Sequence, residues 1–311
     1  MADTDPRIPA GLGVAIVAPS GYATDEAAVV RGIARLQALG CRVKNHYDPA
    51  ARYQRFGGTD EARVGQVHAA IGDPDVQLVI ALRGGYGLSR ILPMLDWHRI
   101  AGSGKLFVGA SDFTAFQLAL LKHTGAVSFS GPMMCGDFGL EETRDFTMRQ
   151  FWECLTSGTH TIRAQAAGNP IVDVRGKLWG SNLAMLVHLI GTPYLPDIDG
   201  GILFVEDVGE HPYRIERMML QLLHAGILQK QRAIVFGDMS DYKLTPYDNG
   251  YDFEAMVAYL RGRIGVPLLT GLPFGHTPDK ATLAVGCDAH LVSDADVFEL
   301  TMSGYPNLAG R

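Results

Sequence analysis

The sequence is short of the features that assign chemistry at a glance. Its four cysteines, Cys41, Cys135, Cys154 and Cys287, are scattered, with no CxxC pair and no His/Cys grouping at metal-ligand spacing. The thiols therefore read as reduced and structural. The ten histidines include no HExxH pattern, so neither a metal nor another cofactor is expected. No run of eighteen apolar residues offers a spanning helix. Basic residues number 27 against 33 acidic ones, for a net charge of −6, and no Lys/Arg cluster reverses that balance locally. On charge grounds neither nucleic acid nor an anionic membrane surface is expected as a partner. The opening MADTDPRIPAGLG has two acids and two prolines where a signal peptide has a basic and then an apolar stretch. A cytoplasmic protein is the expectation.

What is present is an enzyme-like globular composition, 47% hydrophobic and 19% charged, over 311 residues, enough for two cores. GVAIVAPS reads as a strand and DEAAVVRGIARLQAL as the helix after it, ended by Gly40 as a left-handed C′ residue. CRVKNHY, VQLVIALRG and KLFVGAS continue as strands, with EARVGQVHAAI a helix among them. Continuous apolar strands alternating with helices predict a parallel sheet covered on both faces. After residue 140 the pattern loosens, then shorter strands and a strand-rich tail follow. The expected fold is α/β: a parallel-sheet N-terminal domain (1–145) with helices on both faces, a linker (146–168), and a smaller mixed, strand-rich α/β C-terminal domain (169–311).

The stretch VGASDFTAFQLALL runs a strand into a helix with Ser111 and Asp112 at the turn. Ligands of α/β sheets gather at such carboxyl ends. A serine there has two readings: an N-cap, or a nucleophile exposed on a sharp turn beside helix-start amides that stabilise an oxyanion. The α/β-hydrolase GxSxG pattern is incomplete, since Phe113 occupies its last glycine position. A nucleophile also needs a base and an acid that orients the base. Two later segments offer them: ILFVEDVGE, where Glu206 and Asp207 end an apolar strand, and GLPFGHTPDK, with His276 in a loop. In ALRGGYGLSRIL, Gly84, Gly85 and Gly87 follow a strand and allow close backbone approach to a ligand. A plain turn is the alternative there, and GGYG lacks the full dinucleotide pattern.

Together IVAPSGY, RFGGTDEAR, ALRGGYGLSRILPMLDW, VGASDFTAFQLAL, the segment from GKLWGSN to RMML, and GLPFGHTPDKATLAVG resemble, in order and over almost the whole chain, the LD-carboxypeptidase family of serine peptidases. The resemblance implies Ser111 as nucleophile, Glu206 as triad acid and His276 as base, at the junction of two domains. It implies oxyanion donors at the amides of Gly85 and Asp112, a murein tetrapeptide substrate, and often a homodimer. Arg83 is a candidate for the substrate's terminal carboxylate, with a structural ion pair as its alternative. Trp179, Asn182 and Tyr213 flank the expected cleft, with core packing and backbone capping as the other readings of Trp179 and Asn182. Two other functions fit the same outline: an immunity-type amidase acting on a peptidyl-nucleotide antibiotic, and a two-domain peptide-binding protein without catalysis.

Overall fold

A computed structural model of the chain describes residues 8–165 and 167–309. Residues 1–7 of the acidic opening, Ala166 in the expected linker, and 310–311 at the end of the expected second domain lie outside the described residues.

The first sheet holds β1 (Gly13–Val17), β2 (Arg42–Asn45), β3 (Leu78–Ala81), β4 (Leu106–Gly109) and β5 (Ser128–Ser130), all parallel, in the order β5-β4-β3-β1-β2. β1, β3 and β4 are buried throughout, as their unbroken apolar runs require. Strand order reverses between β1 and β3. Right-handed crossovers therefore put the helix Glu26–Ala38 on one face and the helices Asp60–Gly72, Trp97–Gly102 and Thr114–Thr124 on the other. The loops after β1, β3 and β4 meet at this switch point.

The second sheet holds β6 (Thr159–Gln165), β7 (Val172–Asn182), β8 (Ile202–Val208), β9 (Ala233–Ser240), β10 (Leu268–Leu269), β12 (Asp288–Ser293) and β13 (Val297–Ser303). β7 to β10 pair in parallel, and β12, β13 and β6 extend the sheet antiparallel from β7. This sheet is the wider of the two, with seven strands, although its domain was expected to be the smaller.

Two segments depart from the sequence reading. The polar stretch EETRDFTMRQFWECL reads as helical and forms the helix Asp145–Thr156, but the rest of the expected linker 146–168 holds all of β6, which closes one edge of the second sheet. Its alternating exposed and buried residues fit a strand with one solvated face. β11 (Leu283–Val285), within the strand-rich tail, pairs antiparallel with β5 and so completes the first sheet. The chain therefore crosses back to the first unit between β10 and β11, and His276 lies on that crossing.

Candidate active site

Ser111 follows β4 in a single 3-10 turn, Ser111–Phe113, ahead of the helix Thr114–Thr124. Its φ is +62°, a left-handed conformation that costs a residue with a Cβ about 1–2 kcal/mol. Gly109 lets the turn close, because a Cβ there would fall 2.5 Å from the Phe113 ring. Among the described residues no side chain caps the turn or the helix, so the cap role open to Ser111 is not used. The Ser111 side chain lies instead against the glycine loop after β3. A Cβ on Gly84 would sit 2.7 Å from Ser111 Cβ and 2.8 Å from its Oγ. Gly85, the neighbour singled out from sequence, has φ +107°, and a Cβ there would meet nothing closer than Arg83 Nη2 at 3.9 Å. Among the described residues, neither its amide nor that of Asp112 takes part in a hydrogen bond.

Asp112 does more than present an amide. Its buried carboxylate accepts from Ser20 Oγ at 2.6 Å and from the Leu88 amide at 3.0 Å. Burial raises its pKa above the usual carboxylate value, and both hydrogen bonds oppose that rise. Arg63, also fully buried, donates Nη1 to the carbonyls of Pro19 and Gly87, the latter at 2.8 Å, and pairs Nη2 with Asp60 at 2.5 Å. Its guanidinium lies 4.7 Å from the Phe56 ring centroid. Residues 19–20 after β1 and 87–88 after β3 are therefore tied together twice, once by each buried charge. Sequence reasoning missed Arg63. The signal was its place one turn before Val67, on the same buried helix face as Val64, Val67 and Ile71.

In the second sheet Asn182 and Glu206 stand opposite one another at the ends of β7 and β8. A bulge in the β8–β9 pairing falls between Val205 and Asp207, and both Glu206 and Asp207 are buried. Glu206 Oε2 lies 2.7 Å from His276 Nδ1. Its other oxygen accepts from Asn182 Nδ2 at 3.2 Å. Gly237 makes room for this arrangement, since a Cβ there would be 3.3 Å from Glu206 Cβ and 2.4 Å from the Phe274 carbonyl. Burial lowers the His276 pKa, but the hydrogen bond and charge of Glu206 outweigh it, and the net shift is upward. Asp207 serves locally: it accepts from the amides of Ala184 and Val208, and burial raises its pKa.

The two halves meet at Ser111. Thr114 Oγ1 accepts from the Asn182 amide at 3.1 Å, and Ser130 Oγ donates to Ser181 Oγ at 3.0 Å. The loop after His276 is pinned to the first unit by a Lys280–Asp137 ion pair at 2.8 Å, and to the helix Asp145–Thr156 by Thr147, which accepts from the Lys280 amide. Contacts thus run from the Ser111 turn through Thr114 and Asn182 to Glu206 and His276. Among the described residues no hydrogen bond joins Ser111 Oγ to His276. A strained serine, a carboxylate-oriented imidazole and two uncommitted amides form the usual parts for acyl transfer.

The remaining candidates divide. Arg83 reaches over the glycine loop to the Tyr22 carbonyl at 3.5 Å. Trp179 is fully buried, with its indole donating to Gln231 at 2.8 Å, so it packs the core and offers no face to a ligand. Asn182 is also buried, caps the helix Leu183–His188 through Met185 N, and steadies Glu206, which makes it a supporting residue. Tyr213 is 51% exposed at the start of the helix Pro212–His224, its ring 4.7 Å from His211. The cysteines are free, and burial pushes the Cys41 and Cys135 thiols up to about 11 and those of Cys154 and Cys287 to about 12. Among the described residues no group of three or more His, Cys, Asp or Glu could hold a metal ion, and no helix is long and apolar enough to cross a membrane.

The chain resembles known proteins over most of its length. Residues 14–131 match the LD-carboxypeptidase N-terminal domain and residues 175–291 the LD-carboxypeptidase C-terminal domain. The crystal structure of muramoyltetrapeptide carboxypeptidase from Oxalobacter formigenes is 53% identical, with a TM-score of 0.92 over 95% of this chain and 100% of that one. The murein tetrapeptide carboxypeptidase of Pseudomonas aeruginosa is 32% identical over 274 residues, 85% of this chain and 87% of its own. The microcin C7 self-immunity protein of Escherichia coli is 28% identical over 264 residues, 74% of this chain and 75% of its own. With both domain types matched in order and this identity sustained along the chain, the protein belongs to the LD-carboxypeptidase family of serine peptidases.

Proposed function

We propose that the protein removes the terminal D-alanine of murein tetrapeptides, cleaving after the L-centre of the diamino acid at position three, as a step of cell-wall recycling in the cytoplasm. The observation that carries the reading is the buried Glu206 bonded to His276 at 2.7 Å, on the loop that crosses to the unit holding Ser111. His276 takes the Ser111 proton as Oγ attacks the amide carbonyl, and Glu206 orients the imidazole and balances its positive form. The amides of Gly85 and Asp112 receive the developing oxyanion. His276 returns the proton to the leaving D-alanine nitrogen, and water then releases the acyl-enzyme by the same path. Arg83 is assigned to the terminal carboxylate that an exopeptidase must recognise. The family resemblance carries with it a homodimer.

Ser111→Ala tests the reading. D-alanine release from a murein tetrapeptide should fall by roughly 10⁴-fold or more with the fold intact, as for other disrupted serine triads. Near-normal release by a pure sample would overturn it. Similarity to the microcin C7 self-immunity protein favours one rival, hydrolysis of a peptidyl-nucleotide amide. Parallel incubation with both substrates separates the two by the product formed, D-alanine or the freed nucleotide.

A further inference from the structure

Around the meeting of Gly21 and Gly84 the surface carries more arginine than the proposed reaction uses. The Gly21 amide donates to the Gly84 carbonyl at 3.3 Å, and Gly21 also forms an antiparallel bridge with Phe56. The loop after β1, the segment 52–56 and the glycine loop therefore share one rim, and Gly84 abuts Ser111 directly. Measured from where a Cβ on Gly21 would stand, Arg83 Nε is at 3.6 Å and the Arg55 carbonyl at 3.7 Å. Arg52 lies 5.4 Å from the Tyr22 ring centroid and Arg55 5.7 Å from that of Tyr86. Both arginines are exposed, as are Gly85 and Tyr86. Among the described residues none of Arg52, Arg55 and Arg83 pairs with a carboxylate, whereas Arg63 and Arg90 share Asp60. The acids that start the helix after Tyr22 are engaged elsewhere: Asp25 pairs with Arg31, and Glu26 accepts from Tyr47.

Arg52, beside the Tyr22 ring, is held further by its Nε, which donates to the Pro49 carbonyl at 2.8 Å, so its two Nη groups remain for a carboxylate, as does the guanidinium edge of Arg55 beside Tyr86. One terminal carboxylate is satisfied by one bidentate arginine, and Arg83 is assigned to it. We infer that Tyr22, Arg52, Arg55 and Tyr86 form a second anion subsite, which takes a carboxylate carried by the peptide on the acyl side of the scissile bond. A glutamyl residue linked through its side chain, or a diamino diacid, supplies such a group. The inference rests on the carboxypeptidase reading for its substrate, while its physical content is the binding of an acidic peptide.

Two tetrapeptides that differ only in having the acyl-side carboxylate free or as a carboxamide test it. Wild-type protein should prefer the acid by about 10-fold or more in kcat/KM, through KM, as charge-assisted hydrogen bonds predict. The double variant Arg52→Met, Arg55→Met should bring that preference down to near unity. Calorimetric binding of the same peptides to Ser111→Ala protein, with and without the arginine changes, reads the subsite without turnover. Equal handling of acid and amide by wild-type protein in both measurements, or an acid preference that survives the double variant, overturns the subsite. If neither peptide is cleaved but Ser111→Ala protein prefers the acid through Arg52 and Arg55, the subsite stands and the proposed reaction falls.

Discussion

Replacing Gly84 by alanine puts a methyl group where the glycine loop touches the Ser111 turn. The new Cβ would lie 2.7 Å from Ser111 Cβ, 2.8 Å from its Oγ and 3.4 Å from the Ala110 carbonyl. Carbon atoms settle at about 3.5 Å or beyond, so loop and turn must part by roughly 0.8 Å. Neither side yields cheaply. The turn is fixed by the strained φ of Ser111 and by Asp112, and the loop by Arg63 and Asp112 at its far end. Gly84 itself is outside the left-handed region, so alanine adds crowding and no φ strain. A misplacement of about 1 Å between reacting groups costs on the order of 10²-fold, and overpacking costs about 1–3 kcal/mol of stability. Gly84→Ala should therefore lose roughly 50- to 100-fold in kcat/KM while remaining folded. Gly85→Ala is the contrasting change: its Cβ meets nothing closer than 3.9 Å, but its φ of +107° strains any L residue, so its signature is a stability loss of about 1–3 kcal/mol. D-alanine release over a range of tetrapeptide concentrations, with thermal unfolding of both variants, reads the two effects. Gly84→Ala activity within threefold of wild type would refute the reasoning.

Other consequences follow from the same geometry. The base must be neutral, and Glu206 raises the His276 pKa, so kcat/KM should rise with pH and have its acid midpoint above the ordinary histidine value of about 6.5. In Glu206→Gln the opposing effect of burial is left to dominate and the midpoint should move down; a midpoint that stays put contradicts the assignment. Asp112→Asn keeps an acceptor for Ser20 and Leu88, whereas Asp112→Ala strands two buried donors at about 1–3 kcal/mol each, so urea unfolding should separate the variants, and equal midpoints would dissolve the tie. Because this acyl transfer calls on no Lewis acid, a chelator should leave turnover unchanged, and a loss restored by added zinc would overturn the scheme.

The parallel sheet was legible because its strands carry their own evidence. GVAIV, LVIA and LFVG are apolar at every position, which only a strand covered on both faces tolerates. The helix Glu26–Ala38 and its left-handed Gly40 were legible for the same local reason. β11 was not: LAV reads alike in either sheet, and its pairing with β5 is decided by a crossing whose contacts, Lys280 with Asp137 and Thr147, lie more than 130 residues apart. Trp179 stood between cleft and core because a tryptophan near a strand end suits either until its indole partner, Gln231, is known.

At the Ser111 turn the balance of local and distant information is most uneven. A positive φ at a serine persists only when the surroundings over-determine it, so the residues that hold the turn matter as much as the one that is strained. They come from three places: Ser20 after β1, Arg63 on the buried face of a helix, and Leu88 after the glycine loop. Asp112 looks like a helix cap in sequence because an aspartate after a strand is a good cap. It is drawn away from that role by Ser20, 92 residues earlier in the chain. A cap would stabilise the helix alone. The bonds Asp112 makes instead tie the Ser111 turn to Ser20 and to Leu88 at the far end of the glycine loop. In the proposed mechanism that tie sets the spacing between Ser111 and the Gly85 amide on which oxyanion binding depends.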